Sequence, residues 1–393
     1  MVTHNDTPGV AASGELDPSF ATGGKFQAPA GTGKVVSLLE EGESMTLAMT
    51  APTPTRGDFF LCRVSKNGVL DQTFGTGGVL KWRFEDAGSS ILGEALLQPD
   101  RKILLIGNSD QGGKSRLALT RVNSSGSPDL VFGRKIHSLY PDSHTLLNGF
   151  HGCLQPDGKI IVTCHYSVGG KYISVLVRLL ADGELDLTFG VAGKAEIPSS
   201  AAFMFSRRVL VQNSGRIIVV GYMTGQSFVA GFTAGGTLDI TFADQGFWFF
   251  AAQGTEFAFI DLLVLRDDRI RCVGGSAQNA GIGALLVGLD KNGKLEQGFN
   301  GGQPVITQRL LGRWHSISEQ DDGKLLVIGE SGGAELVCSR FLPSGAIDTD
   351  FGWSGFMYHP GHPVDCVVQS SGRWVTAVHD SGGRSSWLYG LTT

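Results

Sequence analysis

Residues 183–190 read Gly183-Glu184-Leu185-Asp186-Leu187-Thr188-Phe189-Gly190, and variants of this stretch recur along the whole chain. Seven copies align on an acidic residue that is followed three positions later by Phe. The acidic positions are Asp17, Asp71, Asp129, Asp186, Asp239, Glu296 and Asp348, with steps of 54, 58, 57, 53, 57 and 52 residues. A period of this length is typical of solenoids and propellers, whose repeats share one core.

Each repeat predicts four short strands, which we label A to D. In the second repeat, residues 79–84 alternate apolar and polar side chains, as expected for a half-buried strand A. Strand B (95–97) ends in a Gln-Pro-Asp turn, and the apolar strand C (103–106) and strand D (117–122) follow.

Four-strand units in seven copies predict an all-β fold, a seven-bladed β-propeller of four-stranded antiparallel blades. A single sheet of about 50 residues cannot bury both faces, so the blades must stack. A solenoid is the alternative, but it requires distinct capping repeats at its ends. The predicted organisation is an N-terminal tail (1–13) and one domain (14–393) with blades at about 20–70, 74–128, 132–185, 189–238, 242–295, 299–347 and 351–393, the last closed by 14–20.

The pattern Leu-Asp-x-Thr-Phe-Gly-x-x-Gly, followed by a Gln-Pro-Asp-Gly-Lys turn and an apolar strand, resembles the bacterial delta-60 repeat family. The resemblance covers residues 14–390 and departs from the pattern at Pro128 and Glu296. It implies a propeller fold and carries no catalytic motif.

The repeated motif residues are expected to be structural. We predict that each Phe is buried between blades and that each Asp accepts backbone N–H groups of its turn. An Arg precedes the motif in four repeats and is predicted to pair with the motif carboxylate. These residues are Arg63, Arg121, Arg178 and Arg340, whereas Gly231, Gly288 and Gly390 hold the same place in other repeats.

Composition excludes several classes of partner. Lys and Arg total 32 and Asp and Glu 37, which gives a net charge of −5 without a basic footprint for nucleic acid. No apolar run reaches the 18 or so residues of a membrane span, and the first residues lack the pattern of a signal peptide. Six scattered Cys residues predict buried free thiols. We therefore expect a cytoplasmic protein, with leaderless export as the alternative, and no cofactor.

Candidate site residues lie on the face formed by the A–B and C–D loops, because these loops vary between repeats. One column, at the start of strand B, contains Glu94, His151, Arg208, Asp261, Ser316 and Asp365, with Val35 in the first repeat. If strand A lines the channel, this column surrounds its mouth, as a solvated strand end or as a ligand-contacting ring. The A–B loops add Arg313, Trp314, His315 and His362. A metal site built from His359, His362 and Asp365 with His151 or His315 is a further alternative.

Three functions are compatible with these residues. The leading hypothesis is a non-enzymatic binding platform whose variable face holds a protein or peptide partner, since Arg and Trp are enriched in interface hot spots. The first alternative is carbohydrate binding, with sugar rings stacked on Trp314, Tyr140 or Tyr358. The second is a hydrolase or lyase that uses Asp261, Asp365 and His151 as acid and base.

Overall fold

The computed structural model describes residues 13–51, 57–141, 143–252, 256–276, 283–308, 312–331, 335–380, 382 and 385–393. The predicted tail, residues 1–13, lies outside this part of the chain except for Ser13. The first fourteen strands are β1 (Lys25–Gln27), β2 (Lys34–Glu40), β3 (Ser44–Thr50), β4 (Phe59–Ser65), β5 (Val79–Trp82), β6 (Ser89–Leu97), β7 (Ile103–Gln111), β8 (Lys114–Val122), β9 (Arg134–His137), β10 (Thr145–Leu154), β11 (Ile160–Val168), β12 (Lys171–Leu179), β13 (Lys194–Glu196) and β14 (Met204–Val211).

The remaining strands follow the same order of long and short segments. They are β15 (Ile217–Met223), β16 (Gln226–Phe232), β17 (Phe247–Phe250), β18 (Phe257–Val264), β19 (Ile270–Ser276), β20 (Ala284–Leu289), β21 (Val305–Thr307), β22 (Arg313–Glu319), β23 (Leu325–Ser331), β24 (Glu335–Phe341), β25 (Phe356–Pro360), β26 (His362–Val368), β27 (Trp374–His379) and β28 (Ser386–Leu391). One short 3-10 helix, Asn300–Gly302, precedes β21.

The fold is an antiparallel β-propeller, but the prediction of seven four-stranded blades is wrong. In the described part of the chain, five four-stranded blades are present, and strands β18–β25 form one eight-stranded sheet. The two halves of that sheet join where Gly275 at the end of β19 pairs with Arg313 at the start of β22. A Cβ atom at Gly275 would lie 2.6 Å from the carbonyl oxygen of Gly312, so only glycine permits this approach.

Strand A does not lie in the same blade as the other three strands of its repeat. Strand β5, which the sequence assigns as strand A of the second repeat, pairs with β4 and is the outermost strand of the first blade. Each blade therefore takes three strands from one repeat and its outer strand from the next. Strand A does not line the channel. The innermost position belongs to the strands that follow the A–B loops: β2, β6, β10, β14, β18, β22 and β26.

These inner strands surround a central channel. Each contacts the next along the chain, and β26 contacts β2. The first and last described strands lie in the same sheet, because β1 pairs with β28. Leu16 also bridges Leu391, so the first motif is held against the last strand.

The motif residues have the predicted structural roles. Every motif Phe is at most 3% exposed, which confirms burial between neighbouring sheets. The motif Asp accepts the backbone N–H two residues later, as Asp186 does from Thr188 at 3.1 Å. In this way the side chain satisfies a turn donor that no strand can bond.

The predicted Arg pairs are confirmed. Each of the four carboxylates receives a guanidinium nitrogen at 2.8 Å, in the pairs Arg63–Asp71, Arg121–Asp129, Arg178–Asp186 and Arg340–Asp348. Where glycine replaces this Arg, another part of the repeat supplies the guanidinium. Turn residues Arg216 and Arg373 reach Asp239 and Asp17, and Arg271 of β19 reaches Glu296. All seven guanidinium groups also lie over the motif Phe rings, with centroid distances of 4.3 to 5.6 Å.

The hydrophobic core lies between neighbouring sheets. One cluster, for example, joins Leu104 and Ile106 of β7 to Val162 and Val175 of the next blade. The six cysteines are free and buried, as predicted. Burial raises the pKa of Cys62 and Cys153 to about 12. In the described part of the chain, no helix is long and apolar enough to cross a membrane.

Candidate functional site

A ring of polar residues lies inside the channel, one on each inner strand. A β-bulge precedes each of them and turns the side chain inward. The members of this polar ring are Ser37, Glu94, His151, Arg208, Asp261, Ser316 and Asp365. Six of the seven follow the predicted column. The seventh is Ser37 rather than Val35, because the turn after β2 is shorter than the others and shifts the alignment.

Several members of the polar ring bind the neighbouring inner strand. Asp261 accepts the N–H of Ile317 at 3.0 Å, and Asp365 accepts the N–H of Leu38 at 2.9 Å. Ser37 accepts the N–H of Ala95 at 3.0 Å. In each case the donor directly follows a bulge, where the regular ladder leaves N–H groups unpaired. The polar ring therefore links neighbouring inner strands, which share no sheet pairing in the part of the chain that the structure describes.

Arg208 contacts two other members of the polar ring, Glu94 and Asp261. Its Nη1 donates to Glu94 Oε2 at 2.9 Å, and its Nε lies 3.3 Å from Asp261 Oδ1. His151 Nδ1 lies 3.3 Å from the same oxygen of Glu94. Although burial opposes ionisation, Arg208 and His151 hold the pKa of Glu94 below its usual value.

Asp365 has no direct cationic partner among the described residues. Its contacts are the N–H groups of Leu38 and Cys366 and the hydroxyl of Ser316, which lies 3.3 Å away. Burial is the main reason that the pKa of Asp365 rises to about 6. The carboxyl group therefore takes up a proton just below neutral pH.

This pKa predicts how stability depends on pH. Because the pKa of Asp365 is higher in the folded chain, at about 6 against an ordinary 3.8, its contribution favours folding at low pH. That contribution is lost as the pH rises from about 4 to about 6. We expect the free energy of unfolding of the wild type, minus that of Asp365→Asn, to fall across this range and to stay level above it. Urea denaturation between pH 4 and 8 measures the difference.

Asp186→Asn is the control, because the pKa of Asp186 is shifted in the opposite direction and its difference from the wild type should stay level between pH 4 and 8. Hydrogen bonds from Thr188 and the charge of Arg178 lower the pKa of Asp186, so its stabilisation is lost only as the pH falls below the usual 3.8. A wild-type minus Asp365→Asn difference that rises from pH 4 to 6 would contradict the pKa of Asp365.

Three predicted loop residues gather on a carboxylate that the sequence did not indicate. Arg313, His315 and His362 lie 3.2, 3.3 and 3.6 Å from the carboxylate of Glu330 on β23. The close contact with His315, together with the charge of Arg313, lowers the pKa of Glu330 to about 2, although burial opposes ionisation. The guanidinium of Arg313 therefore compensates the charge of this partly buried carboxylate.

Trp314 and the proposed metal ligands are not available for the predicted contacts. Trp314 is fully buried and its ring packs against Phe341. His359 lies 3.0 Å from the carbonyl oxygen of Gly14, away from the polar ring that contains Asp365. Among the described residues, no three His, Cys, Asp or Glu side chains are placed to hold a metal ion together.

A second group of side chains forms an aromatic patch beside the channel on the variable face. We define this rim cluster as Tyr172, Phe203, Phe205, Arg207 and Tyr222. Tyr172 lies edge-on to Phe203 and Phe205 at centroid distances of 5.1 and 5.4 Å, and Phe205 stacks on Tyr222 at 5.6 Å. Phe203 is 46% exposed.

Arg207 supplies the charge of the rim cluster. Its guanidinium lies 5.4 Å from the centroid of Tyr222 and donates to the hydroxyl of that ring at 3.4 Å. It forms a salt bridge with none of the described carboxylates. Burial lowers the pKa of the adjacent His165 to about 3, so this imidazole is neutral. The rim cluster thus combines exposed aromatic surface with one uncompensated positive charge.

Comparison with known families supports the fold class. Residues 98–132 and 155–189 match a family model described as a domain of unknown function (DUF5122) beta-propeller. Both segments run from a Gln-containing turn to the motif Phe. No curated protein sequence matches the chain.

Several solved structures share the fold. The polysaccharide lyase Uly1 has a TM-score of 0.53 at 10% identity, over 93% of this chain and 91% of that one. A PL25 ulvan lyase also gives 0.53, at 9% identity, over 93% and 96% of the two chains. Raptor from Chaetomium thermophilum gives 0.55 at 10% identity, over 94% of this chain and 29% of that one. At such identities the likeness extends to the fold alone.

Proposed function

We propose that the protein is a non-catalytic binding module whose variable face holds a protein or peptide partner at the rim cluster. The observation that carries this proposal is Arg207, a guanidinium without a carboxylate partner beside partly exposed aromatic rings. Aromatic residues and Arg are enriched in the centres of interfaces and dominate their binding energy. A segment with a carboxylate next to an apolar side chain fits both features.

The rim cluster is also preorganised. Tyr172, Phe205 and Tyr222 contact one another, and Tyr172 bridges Phe203 through the backbone. Rings that are already packed lose little side-chain entropy when a partner binds. The entropy cost of binding is therefore smaller, and more of the interaction energy contributes to affinity.

The pairing within the polar ring weakens the hydrolase or lyase alternative. Asp261 and Asp365 both accept backbone N–H groups of neighbouring strands, and Asp261 also contacts Arg208. These carboxylates therefore have a structural role, because they connect neighbouring inner strands around the channel. Two of the similar structures are polysaccharide lyases, but a fold shared at such low identity does not transfer an activity.

We also propose that the seven motif copies are delta-60 repeats. The proposal is supported by the propeller family model, which matches two segments that each contain the turn, the apolar strand and the motif. A sensitive profile built from these two segments should align with the other five copies, and failure to do so would contradict the proposal.

A random peptide library displayed on phage tests the binding function. Peptides selected on the wild-type chain should combine an acidic group with a neighbouring apolar residue. Their affinity should fall at least tenfold, about 1.4 kcal/mol, in Arg207→Met and in Phe203→Ser. Arg266→Met is the matched control, because Arg266 is almost fully exposed on the opposite face.

Selected peptides that bind Arg207→Met and Phe203→Ser as tightly as the wild type would overturn the rim cluster as the site. A library that yields no binder at all would overturn peptide recognition. Enrichment of basic rather than acidic peptides would also contradict the role of Arg207.

A further inference from the structure

A groove of about 590 Å³ lies at the outer perimeter of the propeller, between the third and fourth blades. It runs beside β13, the outermost strand of the third blade, from the motif turn that contains Val191 to Pro198. The turn at residues 235–238 of the fourth blade forms the opposite wall. None of these residues belongs to the polar ring or to the rim cluster, so the groove is a separate surface.

The wall toward the fourth blade is apolar. Ala195 and Phe232 belong to the hydrophobic cluster between the two blades, and Leu238 packs against it. Val191 also lines the groove and is 80% exposed. Covering an aliphatic side chain that lies in a concave surface removes apolar area from water, which favours association.

The two charged residues that line the groove are held by the protein itself. Lys194 Nζ donates to the carbonyl oxygen of Leu139 at 2.5 Å and lies 4.2 Å from the ring centroid of Tyr140. Glu196 accepts the hydroxyl of Tyr140 at 2.6 Å. The lining thus contains one Lys and one Glu, whose charges balance. A ligand without net charge complements it.

The outer edge of β13 leaves one pair of backbone groups free. The N–H of Ile197 and the C=O of Gly193 bond to the neighbouring strand at 2.9 and 3.1 Å. Because the bonding direction alternates along an antiparallel strand, the backbone groups of Lys194 and Glu196 face outward. Those of Lys194 bond to Val191. Those of Glu196 have no partner in the described part of the chain.

We propose that this groove binds an extended, uncharged peptide segment of a partner, which pairs with the backbone of Glu196. An exposed strand edge is a template for such pairing. Opposite residues of paired strands point their side chains to one face, and the residues on either side of them point to the other face. The two peptide residues that flank the paired one therefore face Phe232 and Leu238. The segment recognised has the pattern apolar-x-apolar.

The size of the groove agrees with a short segment. Its volume lies within the range of about 300–1,000 Å³ that is usual for ligand sites. Since Val191 already occupies the backbone of Lys194, only one residue of β13 is open to pairing. The edge therefore accepts a few residues and does not support open-ended strand addition.

Fluorescence polarisation on the full chain tests the groove with labelled, capped pentapeptides of the pattern Ser-x-Ser-x-Ser, where x is Leu, Val or Phe. We expect at least one of them to bind at least tenfold more tightly than its permuted form Ser-x-x-Ser-Ser, which has the same composition. Methylation of the backbone nitrogen of the central Ser should weaken binding at least tenfold, because it removes the donor to the carbonyl oxygen of Glu196.

Val191→Ser should weaken binding of the best peptide severalfold. Leu187→Ser is the matched control, because Leu187 lies in the same motif turn, is 67% exposed and does not line the groove. Arg207→Met should leave this binding unchanged, which separates the groove from the rim cluster.

Three results would overturn the proposal: no binding by any alternating peptide up to millimolar concentration, equal binding of alternating and permuted peptides, or an N-methylated peptide that binds as tightly as the unmodified one. An equal loss in Val191→Ser and Leu187→Ser would show that the peptide binds outside the groove.

Discussion

Replacing Arg208 by methionine is expected to lower the free energy of unfolding by about 3 kcal/mol at neutral pH. The substitution keeps the length of the side chain but leaves Glu94 and Asp261 without their guanidinium contacts at 2.9 and 3.3 Å. Glu94 is only 5% exposed, so water cannot replace the lost partner. Urea denaturation at pH 7 measures the change.

Two comparisons separate this effect from a general loss of an arginine. Arg266→Met removes a surface ion pair in which both side chains are more than 90% exposed, and the expected change is below about 0.5 kcal/mol. Arg208→Lys keeps the charge but not the forked geometry, so it should restore part of the loss. Equal stability of Arg208→Met and Arg266→Met would show that the polar ring does not depend on this charge.

Replacing Phe189 by alanine is expected to lower the free energy of unfolding by about 3–5 kcal/mol. Phe189 is fully buried, and the guanidinium of Arg178 lies 4.7 Å from its centroid. Gly236 of the next repeat faces the ring so closely that an added Cβ would lie 2.7 Å from it. The site therefore has little freedom to collapse around the cavity that alanine would leave. Thermal and urea unfolding measure the loss.

Leu187→Ala is the internal control, because Leu187 belongs to the same motif but is 67% exposed. Its replacement should change the free energy of unfolding by less than about 0.5 kcal/mol. If the two variants lose the same stability, the motif Phe is not an anchor between sheets.

The motif chemistry was predictable because it is local and repeated. Asp186, Thr188 and Phe189 lie within four residues, and Arg178 faces Asp186 from the preceding strand. In the repeats that lack this Arg, the sequence also shows which residue replaces it. Where Gly231 or Gly390 replaces the Arg, the turn before the second strand supplies Arg216 or Arg373 instead of the usual Lys.

The candidate site was predictable in part. Counting back from the turn found six of the seven polar ring residues, since each inner strand has nearly the same length. The sequence did not predict the contacts across the channel, because residues such as Arg208 and Glu94 are 114 positions apart. Glu330 was missed for the same reason: its three partners come from two other strands.

By itself, the sequence determined a β-propeller built from repeats, the anchoring roles of the motif Asp and Phe, and the burial of the cysteines. These properties follow from local patterns that recur at a fixed period. Only the tertiary structure decided that the outer strand of each blade comes from the next repeat. It also decided that the sheets of the fifth and sixth repeats join at Gly275 and that Trp314 is buried. It also decided which charges meet in the channel. Those outcomes depend on closure of the ring, which brings together strands that no local pattern connects.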